Sequence, residues 1–125
     1  MVFLLSSIPS INKFWSQRHR SFTQFDEGIQ RDKESWYSVM PEAIANHIAA
    51  HLVGSQQNVT VLDPFVGCGG NAIGFARIEA VDLVVCIDTD LDKLKKASDN
   101  AQIYGIPKSK MVFIHANACR ALACY

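Results

Sequence analysis

The sequence predicts an α/β fold with a parallel sheet. Short apolar runs recur at 59–62, 83–87 and 111–114, and patterns of helical spacing separate them. The first run is β-branched and apolar on both faces, which is typical of a strand inside a parallel sheet. The order βαβαβ, with one more helix in front, is one half of a doubly wound, Rossmann-like sheet.

Length and composition allow one globular domain. The chain has 125 residues, 49% of them hydrophobic, which leaves no room for a second folded domain. Twelve Lys and Arg residues balance twelve Asp and Glu residues, so a nucleic-acid function has to rest on local features. The apolar opening 1–5 lacks a basic flank and is interrupted by Ser6 and Pro9, so we expect neither a targeting segment nor a membrane span.

The sequence divides into an N-terminal arm, 1–37, and a partial sheet domain, 38–125. From Lys13 to Lys33 the arm is polar and aromatic. Aromatic rings beside basic side chains suit a flat, phosphate-bearing base, because the rings stack on the base and the cations meet its phosphates. The alternative, which we favour on the sequence alone, is a surface segment whose aromatic side chains pin it against the core.

Three helices are predicted around the strands. The first covers about 41–53, since Pro41 suits a first helical turn and Gly54 ends the periodic pattern. The residues at helical spacing are Ile44, His47, Ile48, His51 and Leu52. The second helix covers about 71–77 and the third about 91–104.

The strongest functional signal is the turn between the first strand and the second helix. It begins at Asp63 and contains Gly67, Gly69 and Gly70, and Asp88 ends the next strand. Glycines let the backbone approach a ligand closely, and the helix that follows presents unpaired N–H groups. An acidic residue at the end of the second strand can accept hydrogen bonds from both hydroxyls of a ribose. The pattern predicts a nucleoside ligand, whereas the glycines alone also fit an ordinary tight turn.

Asp63 indicates which nucleoside binds. A carboxylate at the mouth of the loop repels a pyrophosphate, yet it accepts hydrogen bonds from the ammonium group of S-adenosylmethionine. We therefore expect S-adenosylmethionine as the cofactor. A dinucleotide-binding module that takes NAD is the disfavoured alternative.

Two asparagines follow at positions suited to such a ligand. Asn117, just past the third strand, lies where this fold usually places a side chain near the adenine, and Asn71 opens the helix after the glycine loop. Each also has a capping interpretation, Asn117 for a turn and Asn71 for the helix. The sequence does not choose between the interpretations.

No metal site is predicted. His47 and His51 are spaced like a ligand pair, but no carboxylate or third ligand accompanies them. The cysteines are Cys68, Cys86, Cys119 and Cys124. They form no CxxC pair, and we expect buried, reduced thiols in an intracellular protein.

Four segments stand out as a set: KFWSQR (13–18), FDEGIQ (25–30), WYSVMPEAIA (36–45) and DPFVGCGGN (63–71). Together they resemble the trimethylguanosine synthase family of RNA cap guanine-N2 methyltransferases. The resemblance implies a class I S-adenosylmethionine-dependent methyltransferase fold. It also implies conversion of the 7-methylguanosine cap of small nuclear and nucleolar RNAs to 2,2,7-trimethylguanosine. The implied location is the nucleus, with the nucleolus and Cajal body, and additionally the cytoplasm.

The resemblance assigns roles to individual residues. Asp63 and Asp88 fall on positions that contact the methyl donor, with the glycine loop beside it. Lys13 falls on a family position that meets the cap phosphates. Phe22 falls on one near the cap-binding surface.

The sequence departs from the family pattern at three places. Met40 stands where the family usually has Thr, and Asn117 replaces an Asp. The family's Pro-Pro-Trp segment, whose tryptophan stacks on the methylated guanine, has no counterpart before Tyr125. We therefore assign no catalytic residue and expect weak or no activity from this chain alone, with self-association through an open edge at the third strand. A remnant that binds the methyl donor or the cap, or a scaffold, is the alternative.

Overall fold

The predicted strands pair into one parallel sheet. The computed structural model describes residues 14–123 and places the strands in the order β1-β2-β3. The strands are β1 (Val59–Asp63), β2 (Val81–Asp88) and β3 (Met111–His115). Both pairings are parallel, so the predicted α/β class and Rossmann-like sheet are confirmed.

The helices lie before, between and after the strands. They are α1 (Arg18–Ser21), α2 (Ser35–Ser38), α3 (Glu42–Val53), α4 (Gly70–Ala76), α5 (Leu91–Ile103) and α6 (Ala118–Ala123), with 3₁₀ turns at Phe25–Glu27 and Lys108–Lys110. The bounds of α3, α4 and α5 match the three predicted helices closely. Within 14–123, none of the helices has the length and apolar character that a membrane crossing requires.

Local signals define both ends of α5. The Asp90 side chain accepts hydrogen bonds from the backbone N–H groups of Asp92 and Lys93, which caps the start of the helix. After the last turn, Gly105 adopts a φ of +72° and donates its N–H to the Gln102 carbonyl at 2.9 Å. Because these signals are local, the helix was predictable from the sequence.

The two faces of the sheet differ in what covers them. Val84 and Cys86 of β2 and Met111 of β3 belong to one buried cluster with apolar residues of α4 and α5. On the opposite face, Leu62 and Val112 are each 43% exposed. Right-handed crossovers from β1 to β2 and from β2 to β3 place both connecting helices on the same side. The interpretation of the first strand as buried on both faces is therefore wrong for the face that holds Leu62.

Small side chains form the buried face of α3. Ala45 and Val53 are buried, whereas Leu52, one of the large residues in the predicted pattern, is 60% exposed. α3 packs against α4 at Gly74, where an added Cβ would lie 3.4 Å from the carbonyl oxygen of Ala45. Two backbones approach this closely only when small residues meet at the contact. The large apolar residues consequently lie on the outer side of α3.

The aromatic arm folds into the core. Phe22 and Trp36 are each 2% exposed, and the ring of Trp15 lies 5.6 Å from that of Trp36 between centroids. The same buried cluster contains Val66 and Ala72 from the sheet domain. This agrees with the alternative in which aromatic side chains pin the arm against the core. Because the core extends across the boundary at residue 37, the two-part division stays a prediction about sequence character.

Candidate functional site

Asp63 and Asp88 lie at the same edge of the sheet. Asp63 ends β1, Asp88 ends the neighbouring β2, and Asp63 is in register with Cys86. In open α/β sheets, ligands bind in the crevice at the carboxyl ends of the strands. We call this part of the molecule, with Asp63, Asp88 and the loop at Gly67, the carboxyl edge.

The charge of Asp88 acts on the Asp63 carboxylate. Burial raises the pKa of Asp63, a hydrogen bond from the Phe65 N–H at 3.2 Å opposes this, and the negative charge of Asp88 raises the pKa further. A cation at the carboxyl edge would lower that pKa again, because it would stabilise the charged form. The carboxyl edge therefore suits a positively charged ligand.

Backbone N–H groups orient the Asp88 carboxylate. Its Oδ2 accepts a hydrogen bond from the Gly67 N–H at 3.0 Å, and its Oδ1 accepts one from the Asp90 N–H at 3.0 Å. Each carboxylate oxygen can accept a further hydrogen bond. Asp88 thus keeps two acceptors side by side, as the two hydroxyls of a ribose require.

Gly67 and Gly69 have different surroundings. Gly67 has a φ of +56°, and nothing lies within 4 Å of the position that a Cβ would take. Gly69 has a φ of +97°, and an added Cβ would lie 3.2 Å from the Cβ of Ala97 in α5. Gly67 therefore faces open space where a ligand can approach the backbone, whereas Gly69 allows α5 to pack against the loop.

A groove beside Asp63 follows β1. Its volume is about 540 Å³, and Asn71 lines it together with Asp63. Other lining residues are Met40, Leu62, Pro64 and Phe75. The N-cap of α4 is Gly69, and no side chain makes a hydrogen bond at that cap. The capping interpretation of Asn71 is therefore not supported, and its side chain lines a groove next to the carboxyl edge.

Comparison with known proteins identifies the family. The model for the RNA cap guanine-N2 methyltransferases matches residues 58–124, more than half of the chain. The chain belongs to the RNA cap guanine-N2 methyltransferase family. The matched range contains every residue predicted to bind the methyl donor, from Asp63 to Asn117.

Two curated relatives are named trimethylguanosine synthase. The protein from Schizosaccharomyces pombe is 43% identical over 108 residues, which cover 86% of this chain and 44% of the relative. The protein from Saccharomyces cerevisiae is 35% identical over 96 residues, which cover 75% of this chain and 30% of the relative. The family resemblance is thus confirmed, and the chain spans less than half the length of each of these relatives.

Asn117 caps a helix in this family member. Its Oδ1 accepts a hydrogen bond from the Arg120 N–H at 3.2 Å in the first turn of α6. It follows β3 near Asp88, since the Ala116 N–H donates to the Asp88 carbonyl at 3.1 Å. The capping interpretation is supported, and contact with an adenine stays a prediction, for which the side-chain N–H₂ is the group to consider.

The two residues assigned to the cap have different outcomes. Phe22 is buried, with its ring centroid 6.3 Å from that of Tyr104. An exposed cap would reach this ring only after the arm moved, so the role of Phe22 stays a prediction. Lys13 lies outside the described residues, and its contact with the cap phosphates also stays a prediction.

The thiols follow the sequence only in part. Cys68 and Cys86 are buried as expected, and burial raises the pKa of Cys86 to about 12. Cys119 is exposed on α6, contrary to expectation, and Cys124 lies outside the described residues. In the described part of the chain, no group of three His, Cys, Asp or Glu side chains is arranged to hold a metal ion.

The sequence analysis missed two cationic side chains, Lys93 and Arg31. Lys93 lies 2.6 Å from a Glu34 oxygen and 3.6 Å from an Asp32 oxygen, which ties the arm to α5. The guanidinium of Arg31 lies 4.2 Å above the ring of Trp36. Neither motif spacing nor periodicity signals these contacts, because they depend on how the arm folds back onto the sheet domain.

Proposed function

We propose that the carboxyl edge binds S-adenosylmethionine. The observation that supports this best is the position of Asp63 and Asp88 at the ends of adjacent strands, on either side of a glycine loop that leaves Gly67 open. Asp63 accepts hydrogen bonds from the ammonium group of the methyl donor, and Asp88 accepts them from the ribose hydroxyls.

The remaining contacts assign the rest of the ligand. Gly67 allows the methyl donor to approach the backbone, and Gly69 allows α5 to pack against the loop. Asn71 lines the groove beside Asp63. We assign Asn117, which caps the helix after β3, to the adenine. Chemistry supports this assignment, because the carboxylates supply hydrogen-bond acceptors to a cationic nucleoside and the Asn117 N–H₂ supplies a donor.

We propose that the reaction supported by the carboxyl edge is hypermethylation of an RNA cap. The names of the two relatives, trimethylguanosine synthase, support it. From the family resemblance we propose the 7-methylguanosine cap of small nuclear or nucleolar RNA as substrate and the nucleus as location. When bound, the methyl donor supplies an electrophilic methyl group to the exocyclic amine of the guanine. The residues at the carboxyl edge act by holding that methyl group in line, since alignment gives most of the rate in such a transfer.

Binding of the methyl donor is tested by calorimetric titration of the chain with S-adenosylmethionine. We expect Asp63→Asn and Asp88→Asn each to weaken binding by about 10- to 100-fold, because each removes a hydrogen bond to a charged or closely held group. Asp82→Asn is the matched control, since Asp82 is an exposed carboxylate near the start of β2. NAD, titrated in parallel, is expected not to bind.

Three results contradict the assignment. The first is equal weakening by Asp82→Asn, and the second is tighter binding of NAD than of S-adenosylmethionine. The third is no binding of S-adenosylmethionine at all. Incubation with a capped dinucleotide and labelled S-adenosylmethionine then separates an enzyme from a scaffold. Binding without transfer favours the non-catalytic alternative.

We also propose that copies of the chain associate through the open face of the sheet. Leu62, Val112 and Ile114 form an exposed apolar surface there, and β1 and β3 are edge strands among the described residues. Sedimentation at several concentrations should show association, and Val112→Thr should weaken it. A monomer at every concentration contradicts this proposal.

A further inference from the structure

A second cavity lies between the arm and the start of α3. Its volume is about 220 Å³. Its lining residues include Gln17, Arg20, Arg31, Trp36 and Tyr37. Each water in the liquid takes about 30 Å³, so the cavity has room for a group of several heavy atoms. We call it the arm cavity.

Arg31 lines the arm cavity and carries hydrogen-bond donors that have no acceptor among the described residues. Its Nη2 donates to the Ser35 carbonyl at 2.8 Å, and its guanidinium stacks 4.2 Å above the Trp36 ring. Its Nε and Nη1 are buried and have no hydrogen-bond acceptor among residues 14–123. An Arg stacked on an aromatic ring still presents its edge, which matches a phosphate or a carboxylate with two parallel bonds.

Trp36 adds a third unsatisfied donor. The side chain is 2% exposed, and its Nε1 is buried without an acceptor in the described part of the chain. Buried polar groups in proteins almost always have a partner, and each that lacks one destabilises the fold. All three groups are N–H donors, so the missing partner is an acceptor.

The neighbouring acidic groups do not supply that acceptor. Asp32 accepts hydrogen bonds from the Ser35 hydroxyl and N–H and faces the Lys93 ammonium at 3.6 Å. Burial raises the pKa of Cys68, so its thiol stays neutral. Burial lowers the pKa of Arg31 to about 10, although the nearby charge of Asp32 acts in the opposite direction, and the guanidinium stays charged at neutral pH.

We propose that the arm cavity binds one oxyanion group, a phosphate or a carboxylate, through Arg31 and Trp36, with Arg20 at its rim. This goes beyond the proposed binding of the methyl donor and does not depend on it. The two regions have opposite chemistry, since the carboxyl edge offers acceptors and the arm cavity offers donors. The ligand group is either part of a nucleotide or part of a small carboxylic acid, and separate titrations distinguish these sources.

The test is titration of the full chain with sodium phosphate, sodium acetate or sodium chloride at constant ionic strength, followed by NMR of the indole N–H groups. The chain has two tryptophans, so Trp15→Phe assigns the two signals. We expect phosphate or acetate to shift the Trp36 signal in a saturable way, because its N–H acquires an acceptor. Chloride should give no saturable shift.

Variants of Arg31 show whether the shift comes from the proposed site. Arg31→Met should weaken the oxyanion affinity at least about tenfold, which is the loss of one charge-assisted hydrogen bond. Arg31→Lys should give an intermediate affinity, because it keeps the positive charge and loses the planar guanidinium that forms two parallel hydrogen bonds. Arg77→Met is the matched control, since Arg77 is an exposed Arg paired with Glu42 on another surface.

Thermal unfolding separates a binding role from a structural one. Saturating oxyanion should raise Tm of the wild type and not of Arg31→Met. The proposal is overturned if neither phosphate nor acetate shifts Trp36 saturably, if chloride acts equally, or if Arg77→Met weakens binding as much as Arg31→Met. If Arg31→Met fails to fold, the wild-type titration and Arg31→Lys decide the question.

Discussion

The carboxyl edge and the arm cavity each hold a partly buried charged side chain, and the two charges have opposite signs. At the carboxyl edge, the negative charge of Asp88 raises the pKa of Asp63. No Lys or Arg within 14–123 lies within ion-pair distance of either carboxylate, although Asp88 contributes to the raised pKa of Lys93. In the arm cavity, Arg31 is positively charged and retains N–H groups without acceptors. The net charge of zero for the whole chain conceals this separation.

The comparison shows that one small domain can contain binding regions suited to ligands of opposite charge. A buried charge without a partner destabilises a fold, and it is tolerated where a ligand supplies the counter-ion. Neutralising Asp63 should therefore have two effects together. Binding of the methyl donor should weaken, while the free energy of unfolding should stay the same or increase.

The largest effect on stability is expected at the loop of the carboxyl edge, where Gly69→Ala and Gly67→Ala form a matched pair. Both place a side chain at a positive φ, which costs about 1 to 2 kcal/mol. Gly69→Ala adds a close contact with Ala97 and should lower the free energy of unfolding by about 3 kcal/mol in total. Gly67→Ala should cost only about 1.5 kcal/mol. Urea unfolding measures both.

Binding should rank the same pair differently. In the fraction that remains folded, Gly67→Ala should weaken binding of S-adenosylmethionine more than Gly69→Ala, because its Cβ projects into the open space at the carboxyl edge. Two results would contradict these roles of the glycines. They are equal losses of stability in the two variants and an unchanged affinity for S-adenosylmethionine in Gly67→Ala.

The carboxyl edge was predictable from the sequence and the arm cavity was not. Asp63 and Asp88 each end an apolar run, and the parallel topology that those runs indicate brings the two ends together. Arg31 and Trp36 meet only after the arm folds against the core, and no periodic pattern encodes that contact. The exposure of Leu62 was not predicted for a similar reason. An apolar run in the sequence does not indicate whether helices will cover both faces of the strand.

A smaller effect should follow from Asp63→Asn at neutral pH, where we expect an increase in the free energy of unfolding. The folded protein raises the pKa of Asp63, so the unfolded chain releases this proton at a lower pH. The stability that protonated Asp63 contributes is present below the ordinary value of 3.8 and is lost as the pH rises through the folded pKa. The Asn side chain stays neutral and avoids that loss.

The measurement is urea unfolding of Asp63→Asn and wild type between neutral pH and the ordinary Asp pKa of 3.8, with Asp82→Asn as the control. The stabilisation should shrink as the pH falls towards 3.8. Saturating S-adenosylmethionine should stabilise the wild type more than the variant. A variant that is less stable at every pH would mean that Asp63 is held by contacts within the fold rather than kept for a ligand.

The smallest effect is expected between the two regions. Neither Arg31 nor Asp63 is among the charges that shift the pKa of the other. Saturating the arm cavity with phosphate should therefore change the affinity for S-adenosylmethionine by no more than about twofold, as for independent sites. Calorimetric titration of the methyl donor with and without phosphate, at constant ionic strength, measures this coupling. A different result would be that phosphate competes with the methyl donor and that Arg31→Met weakens binding of the methyl donor as much as binding of phosphate. In that case the arm cavity holds the carboxylate of the methyl donor, and the two regions form one continuous site.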